Sequence, residues 1–172
     1  MRIFYIILAL FMLYGCANKK QYLLINQNIT HSTKKFNKSI GIKNIDLPQY
    51  LLSKNIPMLE KNSEIIYLKD KEWATYLDIY LTNRIVATLQ KRLNSPNIYR
   101  YPQNSSTKPD IILNIVIHKF IADKNSVTLD ASWDNTLFSI KVPIHSKDEI
   151  VDAMNRAFSA LEDKLILDLE NR

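Results

Sequence analysis

The sequence predicts an α+β fold, an antiparallel sheet open to mixed pairing, with two long amphipathic helices packed on one face. Three patterns predict it. Trp73, Leu77, Leu81, Ile85, Leu89 and Leu93 recur every four residues, the apolar stripe of a helix over residues 72–93. Ile150, Met154, Phe158, Leu161, Leu165 and Leu169 form a second such stripe. Between them, Val127, Leu129, Ala131 and Trp133 alternate with Thr128, Asp130, Ser132 and Asp134, the period of a strand with one wet face. Two amphipathic helices bury their stripes most economically against one sheet face.

Taken in order, residues 22–25 read as a first strand, 26–38 as a polar loop and 39–45 as a second strand that Pro48 ends. Residues 56–59 and 64–68 form a hairpin around Lys61, Asn62 and Ser63. Asp70 is the expected cap of the first helix, and Pro96 closes it. Residues 97–101 suit a strand leading into a loop over 102–109. The long apolar run 111–121, the alternating strand and residues 137–142 make a meander, with turns at Asp123 to Asn125 and at Asp134 and Asn135. Ser146 and Glu149 are spaced as a capping box at the head of the last helix, each side chain satisfying a free backbone amide.

With 172 residues there is room for one domain, and 47% hydrophobic with 23% charged residues is an ordinary globular balance that excludes a disordered chain. The formal charge of +6 is dispersed along the chain, as expected of a solvated surface. Its start is different. Arg2 precedes an apolar run over residues 3–12, then Leu13, Tyr14, Gly15 and Cys16. That run is shorter than the roughly 20 residues a membrane-spanning helix needs and matches a signal peptide. Gly15 before the thiol fits a lipobox, with cleavage after residue 15 and a diacylglyceryl thioether and N-acyl chain on Cys16. Tyr14 is bulkier than the small residue usual there. The predicted organisation is a leader over 1–15, an acylated cysteine and tether over 16–21, and one α/β domain over 22–172. Cleavage leaves 22 Lys and Arg against 17 Asp and Glu, a charge of +5. Two or three acyl chains, at about 0.8 kcal/mol per buried methylene, hold a protein stably on a bilayer. Ala17, where Asp would favour inner-membrane retention in enterobacteria, points to the outer membrane. Cys16 is the sole cysteine, so the mature domain has no disulfide and no thiol nucleophile.

Chemistry-bearing patterns are few. His31, His118 and His145 are far apart and lack the spacing of a metal site, so no metal is expected. No G-x-S-x-G elbow is present, and two glycines in all exclude a glycine-rich phosphate loop. Asp130 and Asp134, four apart on a strand, stand about 13 Å from each other, beyond the roughly 5 to 9.5 Å that glycosidases use. Trp73, Trp133 and Phe158 fall on apolar stripes and read as core. Tyr99 and Tyr101 flank Arg100 as a basic-aromatic patch or as one side of a strand; nucleic acid is not a partner expected of a surface lipoprotein. No enzyme and no cofactor beyond the covalent lipid is expected.

The strand Ile40, Gly41, Ile42 running into Ile45, Asp46, Leu47, Pro48, Gln49, Tyr50 and Leu51, followed by an apolar segment at 56–59, Tyr67, and Trp73 with Ala74 and Leu77, resembles the ABC-type transport auxiliary lipoprotein family associated with MCE proteins. Tyr22, Leu23 and Leu24 resemble its first strand. Asp110 to Leu113 and the ending at Leu129, Ala131 and Trp133 resemble its later sheet. The sequence departs from the family at Leu52, Ser53, Lys54 and Asn55, where an Asp-Arg pair is more usual, and in its few glycines. The resemblance implies a noncatalytic periplasmic subunit that works with an ABC permease, an ATPase and an MCE-domain protein to move phospholipid or related lipids between membranes. The residues themselves suggest a docking element over 47–58, with Leu47, Pro48, Tyr50 and Leu51 as candidates and Tyr67 beside them: prolines remove backbone donors, and Tyr and Leu serve as anchors. Pro48, Tyr50 and Leu51 fit equally well as a corner that plugs the core. A second copy of the chain is another candidate partner. The rival reading is a lipopolysaccharide-assembly lipoprotein acting on an outer-membrane β-barrel; a hydrolase is a third, and would require convergent polar groups in a cleft.

Overall fold

The structure, a computed structural model, describes residues 19–25, 35–102 and 108–172. The predicted leader over 1–15, Cys16 with Ala17 and Asn18 of the predicted tether, His31 and most of the loops at 26–38 and 102–109 lie outside the described residues. Among the described residues nine strands run in chain order: β1 (Lys20–Tyr22), β2 (Ile40–Ile42), β3 (Asn55–Leu59), β4 (Ile65–Trp73), β5 (Ile98–Arg100), β6 (Ile111–Leu113), β7 (Ile115–Ala122), β8 (Ser126–Trp133) and β9 (Thr136–Pro143). Helix α1 (Leu77–Arg92) follows β4, and α2 (Ile150–Glu170) ends the chain.

The fold is α+β, but the sheet is mixed and divided. Six strands lie in the order β1-β4-β3-β7-β8-β9, and β5-β2-β6 form a second sheet. The β3-β4 hairpin and the β7-β8-β9 meander are antiparallel, as expected, whereas β1 with β4, β3 with β7, and every pair of the small sheet are parallel. Purely antiparallel pairing fails because β2, β5 and β6 are separated by a helix or by long connections. Such crossovers return the chain in the same direction, unlike the short turns of a hairpin. The two sheets share the run 111–122. Past β2, Lys43 N–H donates to Leu113 O and Asp46 N–H to Ile115 O, so the chain leaving the small sheet stays alongside the start of β7.

The expectation of two long helices on one sheet face is met only in part. Helix α2 lies across β7, β8 and β9, while α1 packs on β5 and against α2. Its Thr82 Oγ1 accepts a bond of 3.1 Å from Ile45 N–H, and Gln90 donates to Ile98 O at 2.7 Å. The α2 stripe from Ile150 to Leu169 is buried throughout, against Phe120, Leu129 and Trp133 among others.

Several local expectations change: the first strand is Lys20–Tyr22 rather than 22–25, and the run 111–121 is broken at Asn114 into β6 and β7, which belong to different sheets. Trp73 and Ala74 precede α1: Trp73 ends β4, where the strand alternation of Lys71 and Trp73 places both inward. Trp73 is buried, in keeping with a core role. Asp70 consequently lies in β4, and α1 begins after Tyr76 with no side-chain cap. At the head of α2 a 3₁₀ turn (Lys147–Glu149) intervenes, and Ser146 makes no capping bond to the backbone. Instead Glu149 accepts from His145 N–H at 3.0 Å. With few glycines, three turns use left-handed Ser63, Asn94 and Asp134, two of them residue types that tolerate positive φ.

Gly41, in the middle strand of the small sheet, meets a packing demand. A Cβ there would lie 2.6 Å from Pro109 Cγ and 2.8 Å from Tyr101 Cβ. Gly41→Ala is therefore expected to cost about 1–3 kcal/mol, the usual range for overpacking, read as a fall in thermal midpoint with the circular dichroism of the folded state retained.

Candidate docking and anchoring surface

After Asp46 the chain leaves the β7 edge through Leu47 and turns at a 3₁₀ helix (Gln49–Leu51) entered from Pro48. Proline suits this corner because its φ is fixed and it has no N–H to leave unpaired. The turn is closed by Leu51 N–H donating to Pro48 O at 2.9 Å. Tyr50 then reaches β7, where its hydroxyl accepts the Phe120 N–H at 3.0 Å just past the irregularity between Ile117 and Lys119. Burial pushes the Tyr50 phenol above its ordinary pKa, against the pull of the Phe120 bond and with help from Asp130. Leu51 is completely buried, Leu47, Pro48 and Tyr50 are half-buried, and Leu52 is 42% exposed. Tyr67, equally exposed, stands on β4, which β3 separates from β7. The five candidates thus divide: Tyr67 is open to solvent, Leu51 belongs to the core, and Leu47, Pro48 and Tyr50 form a corner fastened to the sheet. The exposed neighbour Leu52, not singled out from sequence, is the apolar side chain this corner presents.

A second constellation secures the N-terminal segment. Arg84 on α1 and Glu162 on α2 are both almost wholly buried and form a bidentate pair, Nη2 to Oε2 at 2.8 Å and Nε to Oε1 at 3.1 Å. Thr88 donates to the same carboxylate at 2.9 Å. The remaining guanidinium hydrogens go to Asn155 Oδ1, Ser159 Oγ and the carbonyl of Leu24, and the guanidinium carbon stacks 4.9 Å from the centre of the Phe158 ring. Tyr80 also donates to Leu24 O, and Asn155 to Ile25 O. The segment that follows β1 is thereby held by both helices. Burial pushes Glu162 above its ordinary value, while Arg84 and Thr88 pull it back. Sequence reading missed this pair, although Arg84 lies seven residues after Leu77 and Glu162 four after Phe158, on the buried flank of each helix.

Two grooves open at opposite ends of β7. One, about 720 Å³, lies at the carboxyl ends of the small sheet's parallel strands and is lined by Lys43, Asn44, Asp46, Arg100, Tyr101, Pro102 and Asn114. Arg100 there donates to Asn44 at 2.8 Å, so the basic-aromatic patch of the sequence is a polar rim. The other, about 540 Å³, lies between the β3-β4 and β7-β8 turns, with Met58 and Leu59 as its floor and Lys61, Lys124, Lys141 and Lys147 around it. His118 bonds Ser132 at 2.7 Å, Asp130 accepts from Ser139, and Asp134 pairs with Arg172. Among the described residues there is no group of three or more potential ligands that could hold a metal, and no helix long and apolar enough to cross a membrane.

Comparisons with known proteins agree with this architecture. A crystal structure of an uncharacterized protein superposes with a TM-score of 0.63 at 17% identity, covering 88% of this chain and 99% of the other. The crystal structure of XCC0632 from Xanthomonas campestris, a DUF330 protein, gives a TM-score of 0.66 at 13% identity over 81% of this chain and 88% of that one. Identities this low speak for the fold. No curated protein matches the chain. The model of the ABC-type transport auxiliary lipoprotein component family matches residues 22–165, from the end of β1 through most of α2. The chain belongs to the family of ABC-type transport auxiliary lipoprotein components.

Proposed function

We propose that the chain is a noncatalytic subunit on the periplasmic side of the cell envelope, anchored in the outer membrane by lipid on Cys16. In this reading it serves an MCE-type ABC system that moves phospholipid or related lipids between the inner and outer membranes. Its partners are the MCE-domain protein and, through it, the permease and ATPase. The observation that carries the reading is the fastening of the N-terminal segment. β1 pairs with β4, and the carbonyls of Leu24 and Ile25 are held by Arg84, Tyr80 and Asn155. A short tether running into a strand so secured couples the domain closely to its anchor. Confinement near a membrane raises the effective concentration of any partner reaching that surface. The docking surface is the segment 47–58 with Tyr67. Leu52 and Tyr67 offer side chains to the partner, while Pro48, Tyr50 and Leu51 keep the corner in shape.

Photocrosslinking residues at Leu52 and Tyr67 test this, with one at Leu137, an 84% exposed position on β9, as the control. Crosslinks to an MCE-domain protein from the first two and none from the third are expected. A crosslink to an outer-membrane barrel instead would favour the rival assembly role.

A further inference from the structure

We propose that the lysine-rimmed groove between the β3-β4 and β7-β8 turns grips the headgroup layer of an anionic phospholipid membrane, orienting the domain on the bilayer that holds its lipid anchor. The proposal rests on the anchor at Cys16 for which bilayer is met, and on the groove's own chemistry for what is bound.

That chemistry is amphiphilic. The floor is Met58 and Leu59, and four lysines from four different segments stand around it: Lys61 in the first turn, Lys124 in the second, Lys141 near the end of β9 and Lys147 in the turn before α2. All four are exposed, and among the described residues none is in an ion pair. Two carboxylates share the rim, Glu60 and Asp123. Asp123 is engaged internally: it accepts from Asn125 N–H at 2.7 Å, Ser126 N–H at 2.8 Å and Ser126 Oγ at 3.0 Å. Burial raises its pKa, but these donors and the nearby Lys141 hold it below the ordinary value overall, so it stays ionised while bracing the turn; with Glu60 it offsets part of the charge of the four lysines, and the rim keeps a net positive charge. A positive ring over an apolar floor complements an anionic headgroup joined to its acyl chains, and each lysine near an anionic surface contributes about 1 kcal/mol, roughly fivefold in binding.

Strand direction brings the same end of the sheet to the membrane. β1 runs parallel to β4 with Lys20 opposite Lys71, so its N-terminal end faces the same way as the Ile65 end of β4, where the groove opens. Lys71 Nζ donates to Lys147 O at 3.1 Å and to Asp148 at 2.7 Å. The entry of β1 therefore lies beside the turn whose Lys147 rims the groove, and Lys20 contributes to the field at Asp148. Three residues, hence four Cα-to-Cα steps, separate Cys16 from Lys20, a reach of at most about 14 Å. An anchor confined to that radius places the groove lysines, rather than the groove at the other end of β7, toward the bilayer.

The test uses the acylated full chain in vesicles of phosphatidylcholine alone or with phosphatidylglycerol. The lysines are pulse-labelled with an amine-acetylating reagent and read by mass spectrometry, and flotation is measured on the same samples. Phosphatidylglycerol is expected to slow labelling of Lys61, Lys124, Lys141 and Lys147 by about fivefold or more, an effect lost at high salt, while Lys43 in the opposite groove is unchanged. Equal labelling in the two vesicle types, with the protein floating, would overturn the groove proposal and leave the anchor reading standing. Failure to float on phosphatidylcholine would overturn the anchor reading, and protection by phosphatidylglycerol vesicles would still support the groove. Protection by dispersed short-chain phosphatidylglycerol but not by bilayers would overturn the membrane-surface assignment in favour of a single bound lipid.

Discussion

Arg84→Ala is expected to destabilise the fold by about 3–5 kcal/mol, the range for removing one partner of a buried ion pair. For a chain of this size that corresponds to a fall in thermal midpoint of roughly 6 to 20 °C. The magnitude follows from what is stranded. Glu162 would keep a buried carboxylate with only part of its donors, Asn155 and Ser159 would lose a partner, and Leu24 O would keep only Tyr80. The effect depends on pH with a definite sign. Burial holds the Glu162 pKa above its unfolded value, so its favourable contribution is complete below the unfolded pKa and lost as pH rises through the folded one. Without Arg84 that loss deepens, so the gap between variant and wild type should be smallest in acid and widen toward neutrality. Replacing both partners by apolar residues, Arg84→Met with Glu162→Leu, should recover much of the loss, since a well-packed apolar pair often matches a buried ion pair. Hydrogen exchange supplies a local readout: residues 20–25 should exchange faster in Arg84→Ala, because the carbonyls of that segment are what the two helices hold. A small loss of stability with unchanged exchange would refute the fastening.

Leu51→Ala should cost about 2–5 kcal/mol, the range for truncating a fully buried leucine, whereas Leu52→Ala, one residue on, should leave stability within about 0.5 kcal/mol. The contrast separates the two duties of the corner. Leu51 is wholly buried, and with Tyr50 bonded to the β7 backbone it fixes the path of the chain between β2 and β3. Leu52 is exposed, so its loss should appear in recovery of the partner rather than in chemical denaturation. If Leu51→Ala and Leu52→Ala denature alike, the corner is not packed as described.

Much of this architecture is readable from side-chain period. The meander from β7 to β9 follows from alternation, with turns where Asp and Asn stand, and the α2 stripe is buried residue for residue. Period says little about partners far along the chain. The parallel pairing of β2 with β5 and β6 depends on crossovers that three-residue strands do not announce. Trp73 and Leu77 share a four-residue spacing, yet a strand ending inward at Trp73 and a helix beginning at Leu77 produce the same spacing across a break. Asp70 and Ser146 were plausible caps by residue type, but one lies within β4 and the other precedes an intervening 3₁₀ turn. Arg84 and Glu162 were hidden because charged residues on an amphipathic helix are ordinarily solvated; only their position on the buried flank betrays them. At the candidate surface, Pro48, Tyr50 and Leu51 were legible as a corner, and exposure then set Leu52 and Tyr67 apart from Leu51.

The most direct measurement is recovery of partners with the intact lipoprotein from mildly solubilised envelopes, beside Cys16→Ala, identified by mass spectrometry. An MCE-domain protein together with its permease and ATPase, diminished or lost with Cys16→Ala, is the predicted result. Recovery of a barrel-assembly protein with no transporter subunit would contradict the proposed role.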